Sequence, residues 1–319
     1  MSHDIVGVGE AMLRIWVPAG ERLEDAATYR VSVAGAEANV AMAAARMGAR
    51  TAWLSALPDS PLGRRAAREI ASHGVDVSRV RWTGEARMGT YYVELSVPPR
   101  PITVVYDRAG SAASLMGPAD IDWDVVESAR LVHISGITPA LSPSCRDLSF
   151  EVVRRAAAAG ALVALDVNFR RMLWSAGECR DVVAELGRGA GLVIATAEDA
   201  RDVFGIDGPP EHVVDGLRDL TGAPRVVVTL GSAGAHWRGP EGRGAAAGYE
   251  DAGAVDRIGA GDAFAAGVLL GLLEDDLEGG VRRGLAMAAL KLGIHGDQLT
   301  VTPAEVERLI AGHEREVSR

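Results

Sequence analysis

The chain has 319 residues, of which 48% are hydrophobic and 24% charged, so it can bury the core of one large domain or two ordinary ones and is not expected to be disordered. The 43 acidic and 33 basic residues give a formal net charge of −10, which argues against a general nucleic-acid or membrane-surface binder because phosphates would be repelled. Neither a signal peptide nor a run of about 18 uncharged apolar residues occurs, so we expect a cytoplasmic protein without a membrane span.

The basic and sulfur-containing residues exclude several kinds of site. Lys291 is the only lysine in the chain. The pattern G-x-x-x-x-G-K-[ST] is therefore absent, and a protein-kinase strand lysine is equally excluded. A Schiff-base lysine would have to be Lys291, whose neighbours form no supporting motif. Cys145 and Cys179 lie far apart without a Cys-x-x-Cys pair, so we expect neither a structural zinc site nor a disulfide framework.

Short apolar runs alternate with helical stretches along most of the chain. The apolar runs predict buried strands at 5–9, 131–134, 162–166, 192–195 and 226–230. The stretches between them predict helices at 39–47, 64–73, 144–159, 178–187 and 211–220. This alternation indicates βαβ units, and hence a mostly parallel sheet with helices on both faces. After residue 256 the pattern becomes mostly helical, at 260–273, 277–292 and 303–311.

Two segments, 13–33 and 87–109, interrupt this alternation with residues that alternate in polarity and are rich in tyrosine, valine and threonine. The second predicts a hairpin whose arms, at 90–97 and 102–106, flank a proline-rich turn at 98–101. We interpret the two segments as an antiparallel flap that covers a site on the parallel core. The alternative is an ordinary extension of the sheet.

Three polar features in the first half of the chain are candidate functional residues. The small-residue loop that contains Gly35 leads into a predicted helix at Asn39, which could bind hydroxyls or simply cap that helix. Arg108 closes the predicted flap and is a candidate anion clamp. His133 lies at a strand end without a catalytic or metal motif around it, so we interpret it as a core histidine.

Two loops that follow predicted strands are further candidates, because α/β proteins place ligands at the carboxyl ends of their parallel strands. After the strand at 162–166, Asn168 would face the crevice, and Arg170 or Arg171 would hold an anionic group or else form a surface salt bridge. After the strand at 226–230, the glycine loop at 229–234 would contact a nucleotide or else form a plain turn.

The segment Asp256-Arg-Ile-Gly-Ala-Gly-Asp262 leads directly into an apolar helix. Gly259 and Gly261 would leave backbone N–H groups uncovered at the helix start, which is an arrangement that binds phosphate. It is not the dinucleotide pattern, whose third glycine would fall on Phe264. Asp262 suits a group that accepts the proton of a hydroxyl attacking phosphorus. The alternative is an acidic residue that only complements the helix dipole.

Together these segments resemble the ribokinase-like, phosphofructokinase-B family of sugar kinases over nearly the whole chain, from Gly9-Glu10 through Gly35-Ala-Glu-Ala-Asn39 to the 256–262 segment. The chain is most similar to the 2-keto-3-deoxygluconate kinase branch, in the stretches 105–108, 133–142, 165–174 and 296–297. The resemblance implies an α/β fold: a three-layer α/β/α core with a mostly parallel sheet and a small β-sheet lid at about 13–33 and 87–109, in a single domain at 1–319. It also implies a homodimer or higher homo-oligomer formed through the lid. From the acidic net charge we expect no nucleic-acid or membrane partner.

The resemblance further implies roles for individual residues. Asp262 would be the catalytic base, beside an anion hole formed by Gly259, Ala260 and Gly261. ATP would contact the strand ends and this anion hole through Asn168, Thr229, Gly231, Ser232, Gly234, Gly259 and Gly261. The sugar acid would lie near Gly35, Asn39, Tyr91, Tyr106, Arg108, Arg170 and Asp297. Mg²⁺ would be held through water by Glu198 and Asp199, and a monovalent cation is a further candidate cofactor.

The predicted function is ATP-dependent transfer of the γ-phosphoryl group to a primary hydroxyl of a sugar acid, with 2-keto-3-deoxygluconate as the leading substrate. Arg108 and Arg170 would hold the substrate carboxylate, since a guanidinium matches its geometry. The chain departs from the family at Ala34, where a double glycine is common, and at Thr196-Ala197, where an asparagine that helps to hold Mg²⁺ is usual. The alternatives are a kinase of the same fold for a neutral sugar or a nucleoside, and a sugar- or nucleotide-binding protein without turnover.

Overall fold

A computed structural model describes residues 2–96, 99–250 and 253–317, with side chains as far as residue 312. The strands in this part of the chain are β1 (Ile5–Val8), β2 (Met12–Val17), β3 (Arg30–Ala34), β4 (Thr51–Leu54), β5 (Ala56–Pro58), β6 (Arg81–Thr83), β7 (Thr90–Glu94), β8 (Thr103–Asp107), β9 (Leu131–Ser135), β10 (Leu162–Asp166), β11 (Leu192–Thr196), β12 (Arg225–Thr229), β13 (Ala235–Gly239) and β14 (Gly242–Ala246). The helices are α1 (Ala36–Arg46), α2 (Pro61–Ser72), α3 (Trp123–Glu127), α4 (Pro143–Ala158), α5 (Ala176–Gly187), α6 (Ala197–Phe204), α7 (Pro210–Thr221), α8 (Ala260–Leu273), α9 (Leu277–Leu292) and α10 (Pro303–Val317).

An eight-stranded sheet forms the centre of the molecule, with the strand order β14-β13-β12-β11-β10-β9-β1-β4. Its strands are parallel from β12 to β4, and the hairpin β13–β14 adds an antiparallel edge. The predicted mostly parallel sheet is therefore confirmed, and the five predicted strands correspond to β1, β9, β10, β11 and β12. Strands β4, β13 and β14 complete the sheet without having been predicted.

Helices cover both faces of this sheet and give the three-layer architecture that was predicted. One face packs on α4, α5 and α7 through residues such as Val152, Val183 and Leu217. The other face packs on α1, α8 and α9 through residues such as Phe264 and Val281. Because both faces are covered, the parallel strands consist of nearly continuous apolar residues.

Several helices begin a few residues before their predicted starts, because their first turns carry capping residues. Ser60 precedes α2, and its hydroxyl accepts a hydrogen bond from the Gly63 N–H. Ser142 caps α4 in the same way, and a proline follows each of these two serines. Serine at the N-cap with proline at the next position is a favourable helix start. No helix of the described residues is long and apolar enough to cross a membrane.

A small sheet lies beside the central one and contains four strands in the order β3-β2-β7-β8; we call it the small sheet. The predicted hairpin is present as β7–β8, although Val97 of its first arm and Pro98 of its turn lie outside the described residues. The flap was predicted to be antiparallel, but the small sheet is mixed, because β2 and β7 pair in parallel. These two strands come from separate parts of the chain and are not joined by a hairpin, so their direction is not fixed by a turn.

Candidate active site

A cavity of about 580 Å³ lies between the carboxyl ends of the central parallel strands, the N-termini of α1 and α8, and the small sheet. This is the edge at which open α/β sheets bind ligands. Most of the residues singled out from the sequence line it: Gly35, Asn39, Tyr91, Tyr106, Arg108, Asn168, Arg170, Glu198, Asp199, Thr229, Gly259, Gly261, Asp262 and Asp297. The fold thus brings together segments that are more than 250 residues apart in the sequence.

The start of α8 forms one wall of the cavity and has the features of a phosphate cradle. Gly259 precedes the helix with a φ of 89°, and a Cβ at this position would lie 2.1 Å from the Asp297 carbonyl oxygen, so only glycine fits. A Cβ at Gly261 would meet nothing within 4 Å. The first N–H groups of a helix lack intrahelical acceptors. No side chain caps α8 among the described residues, and the Ala260 N–H makes only a long 3.4 Å hydrogen bond to the Arg257 carbonyl oxygen, so the start of the helix can bind an anion.

Asp262 lies in the first turn of α8 and is buried against Asn39. The Asn39 Nδ2 donates a hydrogen bond to the Asp262 Oδ2 at 2.6 Å. Burial raises the pKa of Asp262 to about 7, while the Asn39 donor lowers it and the nearby Asp297 carboxylate raises it further. Since α1 begins at Ala36 after Gly35, Asn39 is not its cap but an inward-facing residue of its first turns. A carboxyl with a pKa near neutrality is suited to general-base catalysis.

Arg170 contributes an exposed positive charge to an acidic part of the cavity. Its described hydrogen bond is a 3.5 Å contact to the Phe169 carbonyl oxygen, and its charge lowers the pKa of Asp166, Asp199 and Asp262. The neighbouring Arg171, by contrast, forms a salt bridge with Asp202. Of the two arginines considered from the sequence, Arg170 is therefore the one without an ion-pair partner among the described residues.

Asp166 is a cavity residue that the sequence analysis did not single out. It ends β10, and burial raises its pKa to about 8, with further increases from the Asp262 and Asp199 charges. The Asn168 Nδ2 lies 3.4 Å from its Oδ2. Its spacing from Asn168 was the available signal, because residues two positions apart at a strand end point to the same side, and Asn168 was expected to face the crevice.

Glu198 and Asp199 supply oxygen ligands of the kind that Mg²⁺ prefers. Glu198 is exposed, whereas Asp199 is half-buried and burial raises its pKa. Thr196 begins α6 as the cap: its hydroxyl accepts the Asp199 N–H at 2.9 Å, and one Asp199 oxygen faces the Thr196 N–H at 3.5 Å. Among the described residues no three acidic, histidine or cysteine side chains are close enough to hold a metal together. The pair fits an ion that keeps most of its water, as Mg²⁺ commonly does.

Arg108 lines the cavity, but its charge is already matched inside the protein. Its Nε donates to the Glu10 Oε2 at 2.9 Å, and its Nη2 donates to the same oxygen. The other Glu10 oxygen accepts from the Ser111 hydroxyl at 3.0 Å. Burial raises the pKa of Glu10, and the Arg108 guanidinium opposes that rise. The role of Arg108 as a substrate clamp stays a prediction, and Glu10 is the partner that the sequence analysis missed.

Asp297 is held from two sides at the base of the small sheet. The Tyr91 hydroxyl donates to its Oδ2 at 2.7 Å, and Arg14, a fully buried residue of β2, donates to its Oδ1. Arg14 also donates to the Asp256 Oδ2 at 2.6 Å. The Tyr106 ring stacks on Tyr91 with centroids 5.6 Å apart. The Arg14 connection between the small sheet and the segment before α8 had no signal in the local sequence.

In the segment 229–234, Thr229, the last residue of β12, lines the cavity, whereas Gly231, Ser232 and Gly234 are not among the described residues that line it. Residues Gly231–Ala233 form a single 3₁₀ turn. Gly234 has a φ of 109°, and a Cβ there would lie 2.0 Å from the Ala246 carbonyl oxygen, which gives this glycine a structural role. The ATP contacts predicted for this loop, for Asn168, Gly259 and Gly261, and the anion-hole role of Ala260 stay predictions.

His133 lies outside the cavity, in the interior of β9. Its side chain is 1% exposed, and burial lowers its pKa to about 4, so it is neutral at physiological pH. It is therefore a core residue, as the sequence indicated.

Comparisons with known proteins give matches along the full chain. A family model described as pfkB family carbohydrate kinase matches residues 2–304. The 2-dehydro-3-deoxygalactonokinase of Haloferax volcanii is 41% identical, with 100% of each chain covered. The 2-dehydro-3-deoxygluconokinase of Bacillus subtilis is 32% identical, with 93% of this chain and 92% of that one covered. The crystal structure of a Thermotoga maritima 2-dehydro-3-deoxygluconokinase has a TM-score of 0.90 and 30% identity, with 98% of this chain and 99% of that one covered.

Proposed function

The chain belongs to the pfkB family of carbohydrate kinases, and we propose that it uses ATP and Mg²⁺ to phosphorylate a primary hydroxyl of a 2-keto-3-deoxy (2-dehydro-3-deoxy) sugar acid. The names of full-length relatives support this substrate class. The observation that carries the proposal is that Arg170 presents an exposed guanidinium in the same cavity as Asp262. A cation and a base in one cavity suit a substrate with a carboxylate at one end and a reacting hydroxyl elsewhere.

The proposed reaction begins with proton transfer to Asp262. Asn39 orients this carboxylate, and burial makes it basic enough to accept the proton of the sugar hydroxyl near pH 7. The hydroxyl oxygen then forms a bond to the γ-phosphorus of ATP while the bond from that phosphorus to the β-phosphate oxygen breaks, which releases ADP. The two bonds lie in line, so the role of the protein is largely to position the reactants and to stabilise charge.

The N-terminus of α8 would stabilise the charge of the transferred group. Backbone N–H groups at Ala260 and Gly261 have no side-chain cap to compete with a phosphate, and the helix dipole favours a negative charge there. Mg²⁺ bound near Glu198 and Asp199 would neutralise negative charge on the ATP phosphates. We further propose that the small sheet acts as a lid of the single domain and excludes water, which would limit wasteful ATP hydrolysis.

Arg170 is the residue that we assign to the substrate carboxylate. It is better suited than Arg108, because both the Nε and the Nη2 of Arg108 are already engaged by the buried Glu10 carboxylate. A neutral sugar would leave the Arg170 charge unmatched, and this gives a physical basis for preferring a sugar acid. The competing assignment is that Arg170 contacts the ATP phosphates, and the variants below distinguish the two.

A substrate panel tests the proposed function directly. We expect ADP release with 2-keto-3-deoxygluconate or 2-keto-3-deoxygalactonate, and a kcat/KM for at least one of them about 100-fold or more above that for fructose or ribose, since a site built around a charged group rejects substrates that lack its partner. Preference for a neutral sugar would support the alternative of a fructokinase-like or ribokinase-like enzyme. ATP binding without ADP formation on any sugar would support a binding protein and refute the proposal.

Two variants test the assigned residues. Asp262→Asn should lower kcat by roughly 10²–10⁴ while ATP still binds, because it removes the base and preserves the shape of the side chain. Arg170→Ala should raise the KM for the sugar acid and leave the KM for ATP nearly unchanged. Arg171→Ala is the matched control, because its salt bridge to Asp202 already satisfies its charge. Equal losses for acidic and neutral sugars, or a selective rise in the KM for ATP, would contradict the assignment of Arg170 to the carboxylate.

We also propose that the small sheet joins two copies of the chain in a homodimer. Val31 and Val105 are apolar side chains in one row across this sheet, on the face opposite to the cavity residue Tyr106, and they are 38% and 52% exposed. Analytical ultracentrifugation of the wild type and of Val105→Glu tests this surface. We expect a dimer that the charged variant dissociates, and a monomeric wild type would refute the proposal.

A further inference from the structure

The only lysine of the chain is fully buried beside the proposed phosphate cradle. Lys291 lies in the last turn of α9, and its side chain is 0% exposed. Its Nζ donates hydrogen bonds to two backbone carbonyl oxygens, that of Asp256 at 3.2 Å and that of Ile294 at 3.0 Å. Burying an ammonium group costs free energy unless hydrogen-bond acceptors or opposite charges surround it. The presence of Lys291 in the interior therefore calls for a reason.

The two carbonyl groups belong to the segments that shape the start of α8. Asp256 begins the segment 256–259, and its carboxylate accepts the Ile258 N–H at 3.1 Å and the Gly296 N–H at 3.0 Å. Ile294 begins the segment 294–297. Gly259 packs against the backbone of Asp297 in this segment, so closely that a Cβ on Gly259 would not fit. The Lys291 ammonium therefore lies between the two segments and is bonded to both.

The electrostatic surroundings explain why a cation is needed at this point. Two carbonyl oxygens that converge without a donor would repel each other, and a positive charge between them removes that repulsion. The charged and titratable groups around the ammonium are Asp256, Asp297, Asp262 and Arg14. Burial and Arg14 lower the pKa of Lys291, whereas the three aspartates raise it.

The choice of lysine at this position has a geometric reason. Every other basic residue of the chain is an arginine. A guanidinium is a wide planar fork with five donors, whereas an ammonium is a compact charge with three. Two carbonyl groups in a fully buried space accommodate the compact group, and a guanidinium there would have donors without acceptors.

We propose that Lys291 is a positioning residue for phosphoryl transfer: its ammonium is a built-in cation that holds segment 256–259 against segment 294–297, and turnover therefore requires no added monovalent cation. This inference rests on the proposed kinase function, because it concerns the geometry of the same phosphate cradle. It assigns a role to a residue that does not line the cavity itself.

The wild-type enzyme provides a test that needs no variant. ADP formation is measured by chromatography, so that no coupling enzyme responds to the cation, in tetramethylammonium buffer with and without K⁺, Na⁺ or NH₄⁺. We expect kcat to change by less than about two-fold, because the cation is already in place. Strong activation by K⁺, Na⁺ or NH₄⁺ would overturn the inference. Absence of ADP formation under all conditions, with all panel sugars, would instead refute the proposed function.

Two substitutions separate positioning from general stability. Lys291→Met keeps the apolar stem and removes the charge, and we expect kcat to fall by about 10- to 100-fold with a smaller change in KM, since misplaced catalytic groups cost this much. The acid limb of its pH–rate profile should also move to higher pH, because Asp262 loses a nearby positive charge. Retention of full activity and an unchanged profile would overturn the inference.

Lys291→Ala leaves space for an external cation and gives a readout other than activity. We expect NH₄⁺, methylammonium or K⁺ to raise both its kcat and its thermal unfolding temperature relative to tetramethylammonium, with no such effect on the wild type. Arg180→Met is the control, because the exposed Arg180 also donates to a backbone carbonyl, that of Phe204, but belongs to α5 on the opposite face of the central sheet from α8. A folded Lys291→Ala that responds to cations no more than Arg180→Met does would contradict the proposal, and if neither Lys291 variant folds, the wild-type test decides.

Discussion

The hydrogen bond between Asn39 and Asp262 provides the most specific test of the catalytic geometry. The Asn39 Nδ2 lies 2.6 Å from the Asp262 Oδ2, and both side chains are buried. Asn39→Ala removes this donor without adding a charge. The charged form of Asp262 then loses its main hydrogen-bonded stabilisation, and we expect the pKa of Asp262 to rise above its present value of about 7.

The size of this rise follows from the strength of the bond. A hydrogen bond to a charged group contributes about 1.5–3 kcal/mol, and about 1.4 kcal/mol corresponds to one pH unit, so the pKa of Asp262 should rise by about one to two units. A general base must be deprotonated to act. The acid limb of kcat/KM should therefore move by the same amount toward higher pH, and the activity lost at pH 7 should be partly recovered at higher pH.

The assay is a pH series of kcat/KM with the best substrate of the panel, for the wild type and Asn39→Ala. Loss of a substrate contact by Asn39 would lower kcat/KM equally at every pH, so the position of the limb separates the two roles of this residue. Tyr106→Phe is the control, because it changes a cavity hydroxyl that does not contact Asp262 and should leave the limb in place. An unchanged limb in Asn39→Ala would refute the reasoning that Asn39 sets the basicity of Asp262.

Three further predictions concern stability, and each is checked by urea unfolding. Arg108→Met should lower the free energy of unfolding by about 3–5 kcal/mol, because it leaves the Glu10 carboxylate buried without its partner. The added substitution Glu10→Gln should recover much of this loss. Equal stabilities of the single and double variants would contradict the prediction. Gly267→Ala should lower the free energy of unfolding by about 1–3 kcal/mol, since its Cβ would lie 2.4 Å from the Gly284 backbone. Gly177→Ala places its Cβ in open space and should be neutral or slightly stabilising. Similar effects of the two substitutions would refute the packing argument. Burial lowers the pKa of His133 to about 4, so the unfolded chain binds the proton more readily than the folded protein does. The free energy of unfolding should therefore fall by up to about 3 kcal/mol as the pH drops from about 6.5 toward 4. The same decline in a His133→Gln variant would show that other groups cause it.

The fold was largely predictable because its signals are local. Apolar runs such as Val226–Val228 are buried on both faces of the central sheet, and this pattern is visible in the sequence. The edge hairpin β13–β14 was missed, because its residues are half-exposed and glycine-rich and form no apolar run. The early helix starts were also missed, although Ser60-Pro61 and Ser142-Pro143 are recognisable start signals.

The candidate site was predicted only in part: residues with a local sequence signal were found, and contacts between distant residues were not. Asn39 and Asp262 were singled out, but their direct contact was not, because the two residues are separated by 223 positions in the chain. Asp166 was overlooked, since a single carboxylate at a strand end differs little from many surface acids until its burial is known. The two arginines chosen as anion clamps, Arg108 and Arg170, were indistinguishable in sequence, and the structure differentiates them by the buried partner of Arg108.

The sequence by itself determined the alternation of the five central strands with helices, the glycine-rich start of α8 with its aspartate, and the presence of one lysine among arginines. These properties depend on residue types and on short spacings, which local physical chemistry dictates. Only the tertiary structure decided which buried charges meet: Arg14 with Asp297, which is 283 positions away, and Lys291 with the Asp256 carbonyl. The free energy of a buried charge depends on the partners that folding brings within a few ångströms, and no local pattern encodes them.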